Sequence, residues 1–155
     1  MYIFDTSSFS GMFKFYPKRF PTLWGLFNEL INDDKLISVD EVYMEIQSFD
    51  QQNRIWVEKN KSIFHPPSSD EGAFIQEIFK AKNGHFQQSI GDAKLLKGGF
   101  CADPFIIASA KIKNGTVVTE EKLKPNGSKI PNICEHFQIA CLNLEKFMEK
   151  ENWEF

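Results

Sequence analysis

The sequence predicts an α/β protein with a mainly parallel central sheet and helices on both faces of it. Short apolar segments of strand length alternate with longer segments of helical periodicity along the whole chain. No internal repeat, low-complexity segment or linker interrupts this alternation. A chain of 155 residues, of which 42% are apolar, has enough material for one hydrophobic core. We therefore expect a single domain that spans residues 1–155.

Five short segments rich in apolar and β-branched residues are predicted to be strands. They cover residues 1–4, 36–38, 63–64, 116–119 and 138–141. The first of them leads directly from Phe4 into Asp5 and a polar turn. Because side chains at the carboxyl ends of parallel strands face the crevice where ligands bind, Asp5 is a candidate functional residue.

The helices are predicted from apolar residues at helical spacing and from residues that favour helix ends. Ser38 with Glu41 and Ser68 with Glu71 each fit a capping box, in which the two side chains satisfy backbone donors of the first turn. The predicted helices cover about residues 21–31, 39–49, 50–61, 69–79, 86–96 and 103–112, then a short turn from 131 and a last helix over 144–150. The fifth of these ends at Gly98-Gly99.

Composition and charge exclude some classes of function. A formal net charge of −3 argues against a protein that binds nucleic acid over its whole surface, since such domains are strongly basic. The sequence contains no apolar run of about 18 residues and no secretory leader, which predicts a cytoplasmic protein without membrane contact. Sixteen phenylalanines predict an aromatic core and an aromatic partner surface, so we expect a homodimer.

Acidic residues stand at the ends of elements that a parallel sheet gathers along one edge. Asp5 follows the first strand, Glu45 lies in the helix after the second, and Asp103 opens the helix before the fourth. Glu120 and Glu121 follow the fourth strand. Two carboxylates at about 4 Å repel by roughly 4 kcal/mol at an effective dielectric near 20, so such a cluster favours a bound cation. Oxygen ligands without His or Cys favour Mg²⁺ or Mn²⁺, whose chemistry suits phosphodiester hydrolysis.

Four motifs, in an order and spacing that cover nearly the whole chain, resemble the signatures of the PIN-domain nucleases. They are Asp5-Thr6-Ser7, Val42-x-x-Glu45-Ile46, Ala102-Asp103-Pro104-Phe105-Ile106-Ile107-Ala108-x-Ala110 and Val117-Val118-Thr119-Glu120-Glu121. Three further segments resemble a bacterial PIN-like subfamily, some of whose VapC-like members resemble toxins encoded beside an antitoxin. These segments are the Trp56-Val57 helix, Ile63-Phe64-x-Pro66 and Lys129-Ile130-Pro131-x-x-Cys134.

The resemblance implies a three-layer α/β/α sandwich and a metal-dependent endoribonuclease, the toxin of a type II toxin–antitoxin pair. The implied partners are an RNA substrate and an antitoxin protein, and the implied cofactor is Mg²⁺ or Mn²⁺. By position, Asp5, Glu45 and Asp103 match the family's catalytic, metal-binding acids. The fourth acid of the family matches Glu121 by position, while Glu120 stays open as an alternative, because Glu is one methylene longer than the family's usual Asp.

Several of these residues also have structural interpretations. Asp103 followed by Pro104 is typical of a helix N-cap, and one carboxylate can cap a helix and bind a metal. Glu41 is a reserve metal ligand that the capping box explains better. The Glu120-Glu121 pair also fits a solvated strand end. The resemblance further matches two small polar residues to positions that support the acids, namely Thr6 and Thr119.

The function itself has competing interpretations. A non-catalytic PIN-like module would keep the fold but bind RNA or protein through its aromatic surface. The basic aromatic segment 13–20 can stack unpaired bases while its cations meet phosphates. The same aromatics can instead be buried against a second copy or an antitoxin. A DNA-directed or structure-specific phosphodiesterase is a further alternative.

Overall fold

A five-stranded, all-parallel sheet forms the centre of the molecule, in the strand order β3-β2-β1-β4-β5. The computed structural model describes residues 1–96 and 101–155, with side chains described up to residue 92 in the first of these segments. The strands are β1 (Tyr2–Phe4), β2 (Leu36–Val39), β3 (Phe64–His65), β4 (Thr116–Val118) and β5 (Cys141–Leu142). Helices flank this sheet, and the predicted three-layer α/β/α fold is confirmed.

The central strand β1 is buried along its whole length. Ile3 and Phe4 have no exposed surface. The strand pairs in parallel with both neighbours, with Tyr2 opposite Leu36 of β2 and opposite Thr116 of β4. An entirely apolar strand suits a position that is covered on both faces. The carboxyl ends of β1, β2 and β4 therefore lie side by side at one edge of the sheet.

Helices alternate with the strands through the described residues. Their bounds are α1 (Thr6–Phe13), α2 (Pro21–Asn32), α3 (Asp40–Ile46), α4 (Gln51–Lys59), α5 (Ser69–Lys80), α6 (His85–Leu96), α7 (Asp103–Lys113), α8 (Ile130–His136) and α9 (Leu144–Lys150), with short 3-10 turns at Lys61–Ile63 and Ala81–Gly84. Within the described ranges, none of these helices has both the length and the apolar character needed to cross a membrane. The helix end predicted at Gly98-Gly99 lies outside the described residues.

Polar side chains and prolines determine where many of these helices begin. Asp5, Asp50, Ser68 and Asn143 are the N-caps of α1, α4, α5 and α9, and each accepts a hydrogen bond from the backbone N–H three residues further on. A cap of this kind typically contributes about 1 kcal/mol. Proline occupies the first turn of α2, α7 and α8, where its missing N–H costs no hydrogen bond.

The predicted capping box of Ser38 and Glu41 is wrong. Ser38 is a buried residue of β2, and its hydroxyl donates a hydrogen bond to the Phe4 carbonyl oxygen at 2.7 Å. Helix α3 begins only after the extended Val39, which offers no side-chain cap, because the chain first completes its pairing in the sheet. The helix also ends before residue 49, the predicted end.

The second predicted capping box is confirmed in one half only. The Ser68 hydroxyl accepts the Glu71 N–H at 3.1 Å, as predicted. The buried Glu71 carboxylate does not return this bond and instead pairs with Lys113 of α7. Lys113 also donates to the Ser109 hydroxyl at 3.3 Å. The pair therefore joins α5 to α7 through an ion pair that the local sequence pattern did not indicate.

One helix and one strand also differ from prediction. Helix α1 has no counterpart among the predicted helices, because its apolar residues are interspersed with serines and a glycine, which are poor helix formers. The last strand begins at Cys141 rather than at Gln138. Gln138 has a φ of 57° in the left-handed region, and the Ile139 N–H donates to the Cys134 carbonyl oxygen at 2.8 Å. These residues therefore terminate α8 before the strand can start.

The core is rich in aromatic rings, as predicted from the composition. The buried Phe4 ring contacts three other phenylalanine rings, with centroid distances between 5.1 and 5.5 Å. They are Phe9 of α1, Phe27 of α2 and Phe147 of α9. Tilted and edge-to-face ring pairs of this kind contribute beyond their buried area. The helices around β1 are thus packed on one aromatic cluster.

Gly115 lies where the chain enters β4 beside β1. A Cβ at this position would meet the buried Ile3 side chain and would lie 3.1 Å from the Met1 carbonyl oxygen. We expect Gly115→Ala to lower the free energy of unfolding by about 1–3 kcal/mol through overpacking, measured by urea denaturation.

Gly25→Ala is the matched control, because nothing lies within 4 Å of a Cβ at this exposed position inside α2. We expect this variant to gain about 0.5–1 kcal/mol, since alanine favours the helix. Equal stabilities of the two variants would contradict close packing at Gly115.

Candidate functional site

A cavity of about 590 Å³ opens at the carboxyl edge of the sheet. Its lining includes four acids that come from four separate parts of the chain, namely Asp5, Glu45, Asp103 and Glu121. The expectation that these residues converge at one edge thus agrees with their placement. Thr6 lines the same cavity, whereas Thr119 lies behind it as a buried residue.

Asp5 occupies the centre of this edge because it ends β1 and caps α1. Only 4% of the residue is exposed. Its carboxylate accepts the Ser8 N–H at 2.8 Å, the Thr119 hydroxyl at 2.7 Å and the Ser7 hydroxyl at 2.8 and 2.9 Å to the two oxygens. These bonds come from α1 and from the end of β4. The orientation of the Asp5 side chain is therefore set by α1 and by the residue that follows β4.

Burial raises the pKa of the Asp5 carboxyl above its ordinary value. Hydrogen bonds from Thr119, Ser8 and Ser7 act in the opposite direction, because they stabilise the charged form. Removal from water is the largest cause of the raised pKa at this carboxyl, ahead of any repulsion between neighbouring acids. A cation at this edge would offset that cost as well as any repulsion.

Glu45 links the start of α7 to the start of α1. Its Oε2 accepts a hydrogen bond from the Thr6 hydroxyl, and its Oε1 accepts the Ala102 N–H at 3.0 Å. The side chain is half-buried in α3, directly after β2. Thr6 therefore supports an acid, as the resemblance implies for this position.

Asp103 is the first residue of α7 and not its N-cap. The N-cap is Ala102, which makes no side-chain cap hydrogen bond, and Pro104 follows in the first turn. The interpretation of Asp103 as a capping residue is therefore wrong. Its half-buried carboxylate lines the acidic cavity instead. An acid in the first turn is also stabilised by the positive end of the helix dipole.

The two glutamates after β4 differ in where they lie. Glu121 lines the cavity, and its Oε2 accepts the Ile130 N–H at 2.8 Å. Its own N–H donates to the Thr119 hydroxyl at 3.1 Å, so this hydroxyl connects Glu121 to Asp5. Glu120 does not line this cavity, and its Oε1 accepts the Leu144 N–H at 2.6 Å. Both carboxylates hold helix starts, so neither belongs to a merely solvated strand end.

Glu41 lies in the first turn of α3 and does not line the acidic cavity. Burial raises the pKa of its carboxyl, with smaller contributions from the charges of Asp40 and Glu71. Among the described residues, its Oε2 is a buried oxygen without a hydrogen-bond partner. The reserve position is thus adjacent to the Glu71–Lys113 pair rather than to the other acids.

The donor set of the cavity fits a hard divalent cation by its chemistry. Among the described residues, the ionisable groups that line it are carboxylates, and Thr6, Ser7 and Ser10 contribute hydroxyls to the same lining. Within residues 1–96 and 101–155, however, no three His, Cys, Asp or Glu side chains form a ready-made metal site. The four acids line one cavity, but they are too far apart to bind one cation together. Binding of a cation would therefore require their carboxylates to move closer to each other.

Sequence reasoning missed some residues of the site. The sequence predicts only a polar turn after Asp5, yet the Ser7 hydroxyl donates to Asp5 and accepts the Glu120 N–H at 2.9 Å. An Asp followed two residues later by Ser in a first helical turn was the signal that could have identified this contact. Other missed lining residues are Ser10, Met44, Ser48, Phe49 and Ala102.

A comparison with family models matches nearly the whole chain to one family. Its description is "Domain of unknown function (DUF4411)", and the match covers residues 2–155. Comparisons with curated proteins and with solved structures found no match. The family description names no activity, so the chemistry has to be inferred from the site.

The raised pKa of Asp5 predicts a specific dependence of stability on pH. The folded chain binds more protons than the unfolded chain at pH values between the ordinary and the raised pKa of this carboxyl. The free energy of unfolding should therefore fall as pH rises through that interval, and Asp5→Asn should lack this part of the fall. Urea denaturation at a series of pH values, with EDTA present, measures it.

Asp33→Asn is the control, because this carboxylate is exposed at the end of α2. It should keep the pH dependence of the wild type. Identical pH profiles for Asp5→Asn and the wild type would contradict a raised pKa at Asp5.

Proposed function

We propose that this chain, which belongs to the DUF4411 family, is a metal-dependent endoribonuclease that hydrolyses phosphodiester bonds in single-stranded or loop RNA. One observation carries the proposal: Asp5, Glu45, Asp103 and Glu121 line one cavity at the carboxyl edge of a parallel sheet. Ligand sites of open α/β sheets occur at this edge. The resemblance of the four motifs to PIN-domain nucleases supports the same assignment.

The four acids would hold Mg²⁺ or Mn²⁺. Carboxylate oxygens are the ligands these ions prefer. When bound, such an ion stabilises charge on a phosphoryl oxygen and acidifies water. A protein base is not needed for that chemistry, and the described residues that line the cavity include no His.

The residues around the acids hold the carboxylates in place. Thr119 donates to Asp5 and accepts the Glu121 N–H, so a single hydroxyl positions two of the acids. The Thr6 hydroxyl and the Ala102 N–H hold the two oxygens of Glu45. Hydrogen bonds of this type orient the ligands of metal sites, and their loss typically costs 10- to 100-fold in metal affinity or activity.

We further propose that the protein is the toxin of a type II toxin–antitoxin pair that acts in the cytoplasm as a homodimer. The VapC-like segments of the sequence support this step. The partner would then be an antitoxin that covers the acidic cavity, with a basic side chain as the complementary group. We expect induced expression to arrest growth, and coexpression of a neighbouring small DNA-binding protein to relieve the arrest. Growth that is unaffected by expression of the chain would contradict this step.

A non-catalytic PIN-like binding module is the second candidate. The lack of a ready-made set of three metal ligands among the described residues favours it. In this case the acids would serve the fold, through their bonds to the starts of α7, α8 and α9. The two candidates differ in metal binding and in cleavage, and both are measurable.

We expect Asp5→Asn to reduce Mn²⁺- or Mg²⁺-dependent cleavage of single-stranded RNA by more than about 100-fold, beyond the typical effect of a residue that only orients a ligand. Asparagine retains an N-cap oxygen but lacks the charge that attracts a cation. Cleavage of a labelled oligonucleotide, with DNA of the same sequence in parallel, measures the effect.

Glu121→Gln and Glu120→Gln form the matched pair for this assay. Both glutamates accept a backbone N–H from a helix start, but only Glu121 lines the cavity. We expect a large loss for Glu121→Gln and near wild-type cleavage for Glu120→Gln. Cleavage that survives in Asp5→Asn would remove the basis of the proposed function.

Metal binding should also raise the melting temperature. A cation that binds only the folded chain stabilises it by about 2.7 kcal/mol at 100 times its dissociation constant. We expect Mn²⁺ and Mg²⁺ to raise the melting temperature of the wild type but not that of Asp5→Asn, measured by differential scanning calorimetry. A wild-type melting temperature that neither ion changes would favour the non-catalytic binding module.

A further inference from the structure

A second pocket, of about 360 Å³, lies directly beside the acidic cavity. The two share Ser10 and Phe49 in their linings, so they adjoin each other. Five aromatic residues line the second pocket, namely Phe13, Tyr16, Trp24, Phe49 and Trp56, and its size is in the range of small-molecule sites. We call it the aromatic pocket.

The wall of the aromatic pocket is a rigid group of rings. Phe13 and Trp24 are stacked, with centroids 6.0 Å apart and planes 6° apart. Trp56 meets both of them edge to face, at 5.5 Å from Phe13 and 5.6 Å from Trp24. Phe49 meets Phe13 edge to face at 6.2 Å. Such packing leaves little freedom to lose when a flat ligand enters the pocket.

The mouth of the pocket carries an unusually exposed ring. Tyr16 lines the pocket, yet 63% of the residue is exposed. Lys14 also lines the pocket, and the exposed Lys18 and Arg19 follow Tyr16 in sequence. The segment that contributes Tyr16 is therefore cationic as well as aromatic, in contrast to the adjoining acidic cavity.

Polar side chains also line the pocket, namely Gln52 and Asn53 of α4 and the N-cap Asp50. The amides can donate to and accept from the edge of a base, and the carboxylate can accept from it. Asn53 is itself held by Asp50, which accepts its backbone N–H at 3.0 Å and its side-chain N–H at 2.8 Å. The pocket thus presents preorganised polar groups in addition to its aromatic rings.

We propose that the aromatic pocket binds one unpaired nucleobase of single-stranded RNA, so that the phosphate of an adjoining nucleotide enters the acidic cavity. This inference rests on the proposed function of that cavity. Tyr16 stacks on the base, Lys14 contacts the backbone, and Gln52 contacts the edge of the base. A paired base cannot present its face to such a pocket, which makes single-stranded RNA the substrate class.

The features of the pocket favour a base over a protein side chain. The pocket adjoins the acidic cavity, whose proposed chemistry acts on a phosphodiester, and the two share Ser10 and Phe49 in their linings. Aromatic rings beside cationic side chains are the combination that single-stranded nucleic acids use, since bases stack while phosphates pair with the charges. An antitoxin side chain in the same pocket is the alternative outcome of the test.

The test measures affinity for a short single-stranded RNA by fluorescence anisotropy, in EDTA and again with Ca²⁺. We expect Tyr16→Ala to weaken binding about tenfold or more, the effect typical of losing one stacked base, and Tyr16→Phe to bind as the wild type. Phe155→Ala is the matched control, because Phe155 is also 63% exposed and does not line the pocket. Circular dichroism verifies that each variant is folded.

A series of RNAs with one abasic nucleotide at successive positions identifies the base in the pocket. With the wild-type protein, the RNA that is abasic at one particular position should bind as weakly as intact RNA binds to Tyr16→Ala. Binding of that abasic RNA to Tyr16→Ala should show no further loss of affinity. The proposal is overturned if Tyr16→Ala binds intact RNA as the wild type does, or if its loss is the same for every abasic RNA. RNA that binds in neither buffer also overturns it and favours a protein side chain as the occupant.

The outcomes separate this inference from the proposed function. Coupling between Tyr16 and one base in a protein that cleaves no RNA with Mn²⁺ or Mg²⁺ would support the aromatic pocket and contradict the nuclease. Cleavage that requires Asp5, without any effect of Tyr16→Ala on binding or on the cleavage position, would support the nuclease and contradict the base site.

Discussion

The arrangement of the site depends on the buried carboxylate of Asp5. The residue ends β1, caps α1 and accepts the hydroxyl of Thr119 beyond the end of β4. Burial opposes its charge while several hydrogen bonds support it, so the side chain is held in one place although its ionised form is costly. The other acids are thus placed around a carboxylate whose position is fixed. The outer strands and the helices keep the Asp5 carboxylate in this position.

The remaining architecture brings the other acids to the same edge by two means. Parallel pairing aligns the carboxyl ends of β1, β2 and β4, and the elements that follow or precede them carry Glu45, Glu121 and Asp103. The aromatic cluster around Phe4 then anchors the surrounding helices. A sheet of short strands has few hydrogen bonds of its own, so ring packing supplies much of the rigidity that a preorganised site needs.

The strands, most helices and the convergence of the acids were predictable, because periodicity and strand ends are local signals. Asp5 was recognisable from its position after an apolar strand, but its capping of α1 was not, since α1 lacks a clear apolar period. The side-chain partners were also hidden. Ser38 bonds to β1 rather than to its own helix, and Glu71 bonds to α7, because tertiary contacts compete with local caps and win when the residue is buried. The hydrogen-bond partners of these buried side chains lie far away in the sequence, so no local pattern indicates them.

Two adjacent glutamates after β4 hold the first residues of two different helices. Glu121 reaches Ile130 at the start of α8, and Glu120 reaches Leu144 at the start of α9. One short segment therefore docks the C-terminal helices onto the sheet. A ligand that draws the Glu121 carboxylate into the cavity competes with the hydrogen bond from the Ile130 N–H at the start of α8. Occupancy of the cavity and anchoring of α8 are thus reciprocal, and each shifts the equilibrium of the other by the same free energy.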